Sequence, residues 1–297
     1  MQLSCNYKML KPLLIFLLLW LACALSSFAQ ESPFFVTYTH HMEEPGNLEI
    51  ETSSTTGVPR SGQRLYSAPY LELEYGVTAR WTSEFYLEGQ STAGDSTVFT
   101  GWRWENRYRA LAREHWINPV LYLEYEDLNE ASRIQKEIEG GGPELTSRNA
   151  LLTPEHAHEL ETKLILSSDC RDWNISENVV IAKNFSADEG VEFGYAFGAS
   201  RPLARLASGA SCTFCPENFI VGAEMYGGLG STRSFGTGDT AHYFAPVISW
   251  TLTNSTLRFS TGIGLTHESN PLLIRVGYTY EIQGFGARIA RLFGRQP

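Results

Sequence analysis

Residues 69–78 read PYLELEYGVT, and this stretch alternates between two kinds of side chain. Leu71 and Leu73 occupy one set of alternate positions, and Glu72 and Glu74 occupy the other. Successive side chains of a β-strand point to opposite faces, whereas a helix would scatter both sets around its circumference. The stretch therefore predicts a strand with one apolar and one charged face.

The same alternation recurs along the chain. It is found in residues 81–88, 102–110, 121–126 and 159–167. Soluble β-sandwiches and lipocalin-like barrels also alternate, but their strands usually have about five or six residues. A tilted membrane strand needs about ten residues. Segments of that length are residues 191–200, 219–230, 243–252, 257–266 and 273–282. Strand length therefore favours a transmembrane barrel.

The charged set of positions is predicted to face the barrel lumen, because the outside of a membrane barrel has to match lipid. The predicted lumen-lining residues are Glu72, Glu74, Glu84, Glu88, Arg103, Glu105, Arg107, Arg109, Glu124, Glu126, Glu159, Glu161, Lys163, Glu192, Glu224, Arg258, Arg275 and Glu281. In the later strands, small residues such as Gly194 and Ala196 share this face. Isolated ions in a dry interior are strongly destabilising, so charges this dense have to be paired or hydrated.

The N-terminus predicts export. Lys8 and Lys11 precede an apolar run over residues 13–25, and Ser27 and Ala29 place small residues where a signal peptidase reads. Cleavage is expected before Gln30. An exported chain with membrane-length strands indicates the outer membrane of a Gram-negative-type bacterium.

Three regions follow from this pattern: a signal peptide (1–29), a barrel (30–285) and a short basic tail (286–297). Counting from Asn47 gives twelve strands, so the predicted fold is an all-β, antiparallel, up-and-down transmembrane β-barrel. Residues 34–42 lie outside this count, as an N-terminal strand, a plug or half of an extra hairpin. An extra hairpin would raise the number of strands to fourteen.

Connection lengths predict an orientation, because membrane barrels have long outer loops and short inner turns. If the last strand ends on the inner side, the long outer connections include residues 53–65, 127–154 and 231–242. The tight inner turns then include residues 76–80, 168–172 and 253–255.

Composition restricts the partners. The net charge of the chain is −10, from 23 basic and 33 acidic residues. Removing a signal with two lysines and no acid leaves 21 against 33, or −12. An acidic chain argues against nucleic acid as a partner. The expected partners are outer-membrane lipids, the barrel assembly machinery and small solutes, and no cofactor is predicted.

The mature chain resembles the bacterial outer-membrane barrels of the porin-like or transporter type. The signal, the hairpin segment at residues 71–76 and the last strand, over residues 274–280, carry the resemblance. Many such barrels end on an aromatic residue, whereas here Phe285 is followed by residues 286–297. Arg288, Arg291 and Arg295 alternate there with Ile289, Leu292 and Phe293, which predicts a basic amphipathic helix on the membrane surface.

A second, local resemblance suggests an enzyme. Residues 264–270 read GLTHESN and match the G-x-x-H-x-S-N core of outer-membrane phospholipase A, and the H-x-S pair is similar to that of lipid A deacylases. The resemblance implies that His267 acts as a base on Ser269, the nucleophile for ester cleavage. Strand parity would place both side chains toward lipid. Pro271 departs from the pattern, which has Gly at that position.

Other candidate sites are weaker. Cys212 and Cys215 form a C-x-x-C pair in an oxidising compartment, which predicts a local disulfide, with Cys170 free or bridged to one of them. His40 and His41 could ligate a metal, but neighbours in a strand point to opposite faces, so no metal site is predicted there.

The sequence leaves three functions open. The first is a pore for small, preferentially cationic or neutral solutes. The second is a lipid hydrolase based on His267 and Ser269. The third is a closed barrel that acts through its outer loops.

Overall fold

The structure is a computed structural model that describes residues 32–60, 63–133, 147–204 and 213–294. In this part of the chain, the protein folds into a closed antiparallel β-barrel with twelve strands. The strands are β1 (Leu48–Val58), β2 (Tyr66–Thr78), β3 (Trp81–Thr92), β4 (Thr97–Arg109), β5 (Asn118–Asn129), β6 (His156–Cys170), β7 (Trp173–Asn184), β8 (Glu192–Pro202), β9 (Phe219–Ser231), β10 (His242–Thr251), β11 (Ser255–Gly264) and β12 (Leu272–Ile282). Each strand pairs with its sequence neighbours, and β1 closes the barrel by pairing with β12. The prediction of a twelve-strand up-and-down barrel is confirmed.

Burial alternates along the strands as the sequence pattern requires. In β3, Glu84 and Glu88 are 1% and 6% exposed, whereas Phe85 and Leu87, which lie between them in the sequence, are 38% and 40% exposed. A charged face is therefore buried inside the barrel and an apolar face is exposed outside. We call the buried positions the inner face.

The outer face forms an apolar belt that suits lipid. Large exposed residues on this face come from strands all round the barrel. They include Leu73, Trp104, Leu121, Leu164, Val179, Phe197, Met225, Phe244, Phe259 and Val276. Such an extensive exposed apolar surface is rare on soluble monomers, and it is the expected surface of a transmembrane barrel.

The two ends of the barrel differ. We call the end with the two-residue turns at 79–80 and 171–172 the turn end, and the opposite end the loop end. Arg171 and Asp172 both have positive φ, of 51° and 69°, which is the conformation of a type I′ hairpin turn. Residues 46–47 and 283–284 also meet at the turn end, where the Gly284 amide donates to Asn47 Oδ1 over 2.8 Å.

One predicted boundary is wrong. The sequence pattern placed an outer connection over residues 53–65, whereas β1 continues to Val58. Residues 52–57 read TSSTTG, so they have no apolar alternation, yet they pair with both β2 and β12.

Helices are short in the described residues. The first, α1, covers Asn149–Leu152, and a 3-10 turn covers Pro216–Asn218. The second helix, α2, covers Phe285–Leu292 directly after β12 and carries Arg291 in its last turn. A helix is therefore present where the sequence predicted one.

No helix in the described ranges is long and apolar enough to cross a membrane.

Residues 32–47, which we call the lumen segment, precede β1. They form no strand. Residues 33–43 lie inside the barrel, in contact with inner-face residues from several strands, whereas Glu44 and Pro45 are exposed. Of the three alternatives for residues 34–42, the structure therefore contains the plug. The predicted signal peptide lies outside the described residues.

Candidate functional site in the lumen

The inner face of β1 to β6, which we call the charged wall, is held together by ion pairs. Arg107 Nη2 lies 2.6 Å from Glu74 Oε1, and Arg107 Nε donates to Glu84 Oε1 over 2.6 Å. Arg103 Nη1 donates to Glu124 Oε2 over 2.9 Å. These guanidinium groups bridge neighbouring strands, so they compensate buried carboxylates and also fix the wall laterally.

Acid is nevertheless in excess on the charged wall. Among the described residues, its buried carboxylates outnumber its buried cations. Lys163 Nζ lies 2.6 Å from Glu161 Oε1 and stacks over the rings of Tyr38 and Tyr122. Glu72 is 7% exposed, and its carboxylate lies close to those of Glu74 and Glu84. The wall therefore presents a net negative surface to the lumen.

The inner face of β7 to β12, which we call the small-residue wall, has a different composition. Many of its buried positions carry small or hydroxyl side chains, with few charges, although Tyr226, Tyr243, Leu273 and Arg275 are also buried there. Representative members are Ser176, Asn178, Ala182, Ala196, Gly198, Ser200, Ala245, Ser249, Ser260 and Gly262. Side chains of this size leave space in front of the wall.

The lumen segment fills that space. Phe34 lies directly over Gly198, where an added Cβ would come within 2.7 Å of the phenyl ring. Val36 belongs to a buried cluster on this wall with Ala196, Tyr226 and Leu273, among others. The missing side-chain volume of the wall is thus replaced by the side chains of the segment.

Glu224 is the main polar anchor of the lumen segment. Its carboxylate accepts three consecutive backbone N–H groups, from Phe35 at 3.0 Å, Val36 at 2.9 Å and Thr37 at 2.7 Å. A charged acceptor with three donors makes stronger hydrogen bonds than neutral pairs do. This arrangement satisfies a buried charge on a wall that offers few cations.

Tyr38 connects the two walls. On the small-residue side, its backbone N–H donates to Asn178 Oδ1 over 2.7 Å, and its carbonyl accepts from Asn178 Nδ2 over 3.0 Å. On the charged side, its hydroxyl donates to Glu105 Oε2 over 2.8 Å. The segment therefore crosses the lumen at this residue.

At the turn end, the segment reaches a group of metal-ligating side chains that we call the turn-end cluster. Its members are His40, His41, Glu114 and Asp169. His41 Nε2 lies 2.9 Å from Asp169 Oδ2, and His40 Nε2 lies 3.8 Å from the same oxygen and 3.3 Å from Glu114 Oε1. Burial and the neighbouring His41 lower the pKa of the His40 imidazole.

This convergence corrects the sequence argument about the two histidines. Their side chains were expected on opposite faces of a strand, but the lumen segment is not a strand, and the two rings lie with centroids 4.4 Å apart. The histidine motif is visible in the sequence, whereas the contributions of Glu114 and Asp169 have no sequence signal.

The predicted lumen-lining residues are distributed as follows. The buried ones are Glu72, Glu84, Glu88, Glu105, Arg107, Glu124, Glu126, Glu159, Glu161, Lys163, Glu224 and Arg275. The partly exposed ones are Glu74, Arg103, Arg109, Glu192, Arg258 and Glu281. Arg258 forms an ion pair with Glu51, and Arg109 donates to the Ala79 carbonyl at the turn end. Sequence reasoning missed the segment contacts of Tyr38 and Asn178.

His267 and Ser269 lie in the connection after β11, which ends at Gly264, so strand parity does not orient them. The His267 side chain is 86% exposed, with its Nδ1 3.5 Å from Glu268 Oε1. Ser269 is buried, and its Oγ donates to the His242 carbonyl over 2.8 Å and accepts from the His242 amide over 2.9 Å. These contacts give Ser269 a structural role at the base of the loop.

The cysteines are partly described. Cys215 is disulfide-bonded, and its predicted partner, Cys212, lies outside the described residues. Cys170 is free and partly buried.

Comparisons with known proteins identify the fold. No family model and no curated protein matches the chain. An outer-membrane channel from Pseudomonas putida F1 superposes with a TM-score of 0.54 at 12% identity, covering 85% of this chain and 100% of that one. The NanC porin aligns with a TM-score of 0.48 at 9% identity over 79% of this chain and 100% of its own. LpxR from Salmonella typhimurium aligns with a TM-score of 0.41 at 9% identity over 79% and 99%. At 12% identity, the likeness to the Pseudomonas putida channel shows the fold alone, that of an outer-membrane β-barrel.

Proposed function

We propose that the protein is an outer-membrane channel for small solutes, with a preference for cationic or neutral ones. The observation that carries this proposal is the division of the lumen. Half of the wall fills its space with its own charged side chains, while the space before the other half is occupied by the lumen segment. The segment can therefore act as the gate of a pore that the barrel itself does not fill.

Barrel size supports this proposal. Barrels of eight strands are filled by their own side chains, whereas those of sixteen or more enclose water. Twelve strands with many small residues on half of the inner face leave room for the lumen segment between the walls. The segment is held by Glu224 and Asn178 rather than by strand pairing. Its displacement would leave every ladder of the barrel intact.

The charge of the wall supports the solute preference. Carboxylates on the charged wall outnumber cations, and a ring of acid favours cations over anions in a water-filled pore. Neutral solutes would meet no comparable barrier. Anions would be repelled by the residues that line one whole side of their path.

The location and partners of this channel rest on the sequence. The predicted signal would export the chain, outer-membrane lipids would surround the apolar belt, and the barrel assembly machinery would insert it. No cofactor has a role in this proposal.

Single-channel recording in planar bilayers tests the proposal. The mature protein in unequal KCl should give stepwise openings whose reversal potential has the sign of a cation-preferring pore. Glu224→Gln removes the charge that holds three backbone N–H groups, so it should raise the open fraction several-fold. Asp188→Asn is the matched control, because this carboxylate is 98% exposed and pairs with Arg233 outside the lumen.

Two results would overturn the channel. One is a correctly folded barrel that stays silent both as wild type and as Glu224→Gln, which would favour a closed barrel acting through its loops. The other is anion preference, which would contradict the role given to the charged wall.

A further inference from the structure

We propose that the turn-end cluster is a binding site for a divalent transition-metal ion such as Zn²⁺, and that the ion latches the lumen segment to the barrel wall. Two ligands, His40 and His41, belong to the segment. The third, Asp169 on β6, belongs to the barrel, and Glu114 in the β4–β5 connection lies beside the site with its Oε1 3.3 Å from His40 Nε2.

The spacing of the donor atoms fits a tetrahedral ion. Zn²⁺ binds imidazole nitrogen and carboxylate oxygen at about 2.0–2.2 Å, so neighbouring donors around it are about 3.4 Å apart. The observed separations in the cluster are 2.9 Å, 3.3 Å and 3.8 Å. One nitrogen from each histidine and one Asp169 oxygen lie mutually within 4.8 Å. An ion between them would require only small side-chain movements.

The donor set also selects the class of metal. Imidazole nitrogens with one or two carboxylates suit Zn²⁺ and its first-row neighbours, whereas Mg²⁺ and Ca²⁺ take oxygen ligands. The lumen has another group of potential metal ligands, formed by Glu72, Glu74 and Glu84. It contains no nitrogen donor, and it adjoins the cationic Arg107. The turn-end cluster is therefore the better candidate for a transition metal.

A second layer of hydrogen bonds already orients these ligands. His40 Nδ1 is bonded to Ser167 Oγ at 2.8 Å, which leaves Nε2 directed at the cluster. Asp169 Oδ1 accepts from Asn174 Nδ2 over 2.7 Å, which leaves Oδ2 directed at the histidines. The type I′ turn at residues 171–172 places Asp169 and Asn174 opposite each other. Partners of this kind fix ring orientation and tautomer in metal sites.

An ion can reach the cluster from solvent. His40 is 1% exposed, but the side chains of His41, Asp169 and Glu114 are 33%, 37% and 47% exposed. The site is therefore buried on the side of His40 and open to solvent on the side of the other three residues. Because the open side lies at the turn end, the ion would come from that side of the membrane.

The loop end offers a contrast with the same residue types. His156 Nδ1 lies 2.6 Å from Asp127 Oδ1, whereas His158 Nδ1 lies 3.9 Å from the other oxygen, Oδ2. These imidazoles do not converge on one oxygen. The pair therefore serves as an internal control for adventitious binding by exposed histidine and carboxylate.

The test is a Zn²⁺ titration of the full mature protein without a histidine tag, in detergent, by competition with a chromogenic chelator. We expect one ion per chain in the wild type, and no competition by Mg²⁺. Because loss of even an outer-shell partner weakens metal sites about 10- to 100-fold, His41→Gln and Asp169→Asn should each weaken binding at least about tenfold. His156→Gln should leave binding unchanged, and heat-modifiable gel mobility should show that every variant is folded.

The latch has its own measurement. Zn²⁺ should slow backbone hydrogen exchange over residues 38–42 in the wild type and have no effect in Asp169→Asn. Absence of Zn²⁺ binding, or equal binding by the wild type and His41→Gln, would overturn the site. Binding without slower exchange would overturn the latch. Since neither readout uses current, the result is independent of whether the barrel conducts.

Discussion

The charged wall and the small-residue wall belong to one barrel and share one alternating strand pattern, yet they fill the lumen in different ways. The charged wall occupies its half with long side chains that are cross-linked by Arg103 and Arg107. The small-residue wall leaves space that Phe34 and Val36 of the lumen segment occupy. The interior of the barrel is therefore filled mainly by the wall itself on the charged side and by a separate element on the other side, from which the segment crosses to the charged wall at Tyr38.

This difference predicts different consequences of mutation. A change on the charged wall leaves an ion without its partner inside the barrel, so it should act on the stability of the whole fold. A change on the small-residue wall alters the packing of the lumen segment, which is held by individual contacts and not by strand ladders. It should act on the segment and leave the barrel intact.

Removing Arg107 should have the largest effect. Arg107→Met leaves Glu74 and Glu84 without their shared cation, and breaking a buried pair in this way destabilises proteins by about 3 to 5 kcal/mol. Urea unfolding in lipid vesicles, followed by tryptophan fluorescence, measures this loss. Arg109→Met is the matched control on the same strand, because Arg109 donates to the Ala79 carbonyl at the turn end. An equal loss of unfolding free energy in both variants would mean that the ion-pair network stabilises the barrel no more than the Arg109 contact does.

Filling the small-residue wall should have an intermediate effect that is confined to the segment. In Gly198→Leu the new side chain takes the place of the Phe34 ring, and overpacking of this kind costs about 1 to 3 kcal/mol. Hydrogen exchange over residues 34–38 should become about tenfold to a hundredfold faster, since about 1.4 kcal/mol corresponds to a factor of ten. The unfolding transition of the barrel should stay within error of the wild type.

Gly238→Leu is the control for that experiment. Gly238 lies in a loop and has no atom within 4 Å of an added Cβ. If Gly198→Leu instead unfolds the barrel, the separation between wall and segment is wrong.

The smallest effect is expected where the segment touches the charged wall. Tyr38→Phe removes one hydroxyl that donates to Glu105, while the contacts with Asn178 stay in place. Glu105 Oε2 keeps the Tyr86 hydroxyl as a second donor at 3.3 Å, so loss of one bond to this carboxylate should change segment protection by about 1.5 kcal/mol, the low end for a charged acceptor, read from hydrogen exchange over residues 35–40. Tyr108→Phe, on the exposed outer face, provides the comparison. A loss larger than that of Gly198→Leu would show that the charged wall, and not the small-residue wall, holds the segment.

The sequence predicted the barrel wherever its two faces differ in chemistry. Strands such as β2 and β3 can be predicted because Leu and Phe alternate with Glu, and alternation of apolar and polar residues is the primary signal of a half-buried strand. The end of β1 was missed because Ser, Thr and Gly occupy both of its faces there. Its pairing with β2 and β12 decides its conformation, and pairing partners are not local in sequence.

The candidate site was less predictable. Glu224 was recognised as an inner-face charge, but not as the acceptor of three backbone N–H groups more than 180 residues away in the chain. The prediction for His40 and His41 rested on a strand that does not form. Glu114 and Asp169 carry no motif that connects them with those histidines.

By itself, the sequence determined a twelve-strand barrel with an apolar outside and a charged inside, because side-chain period and strand length are local properties that each strand repeats. Only the tertiary structure decided what fills the lumen. The lumen segment has no ladder and no periodicity of its own, so its path is set by the space that the small-residue wall leaves and by the acceptors that Glu224 and Asn178 offer. These features exist only after distant strands have closed the barrel around the segment.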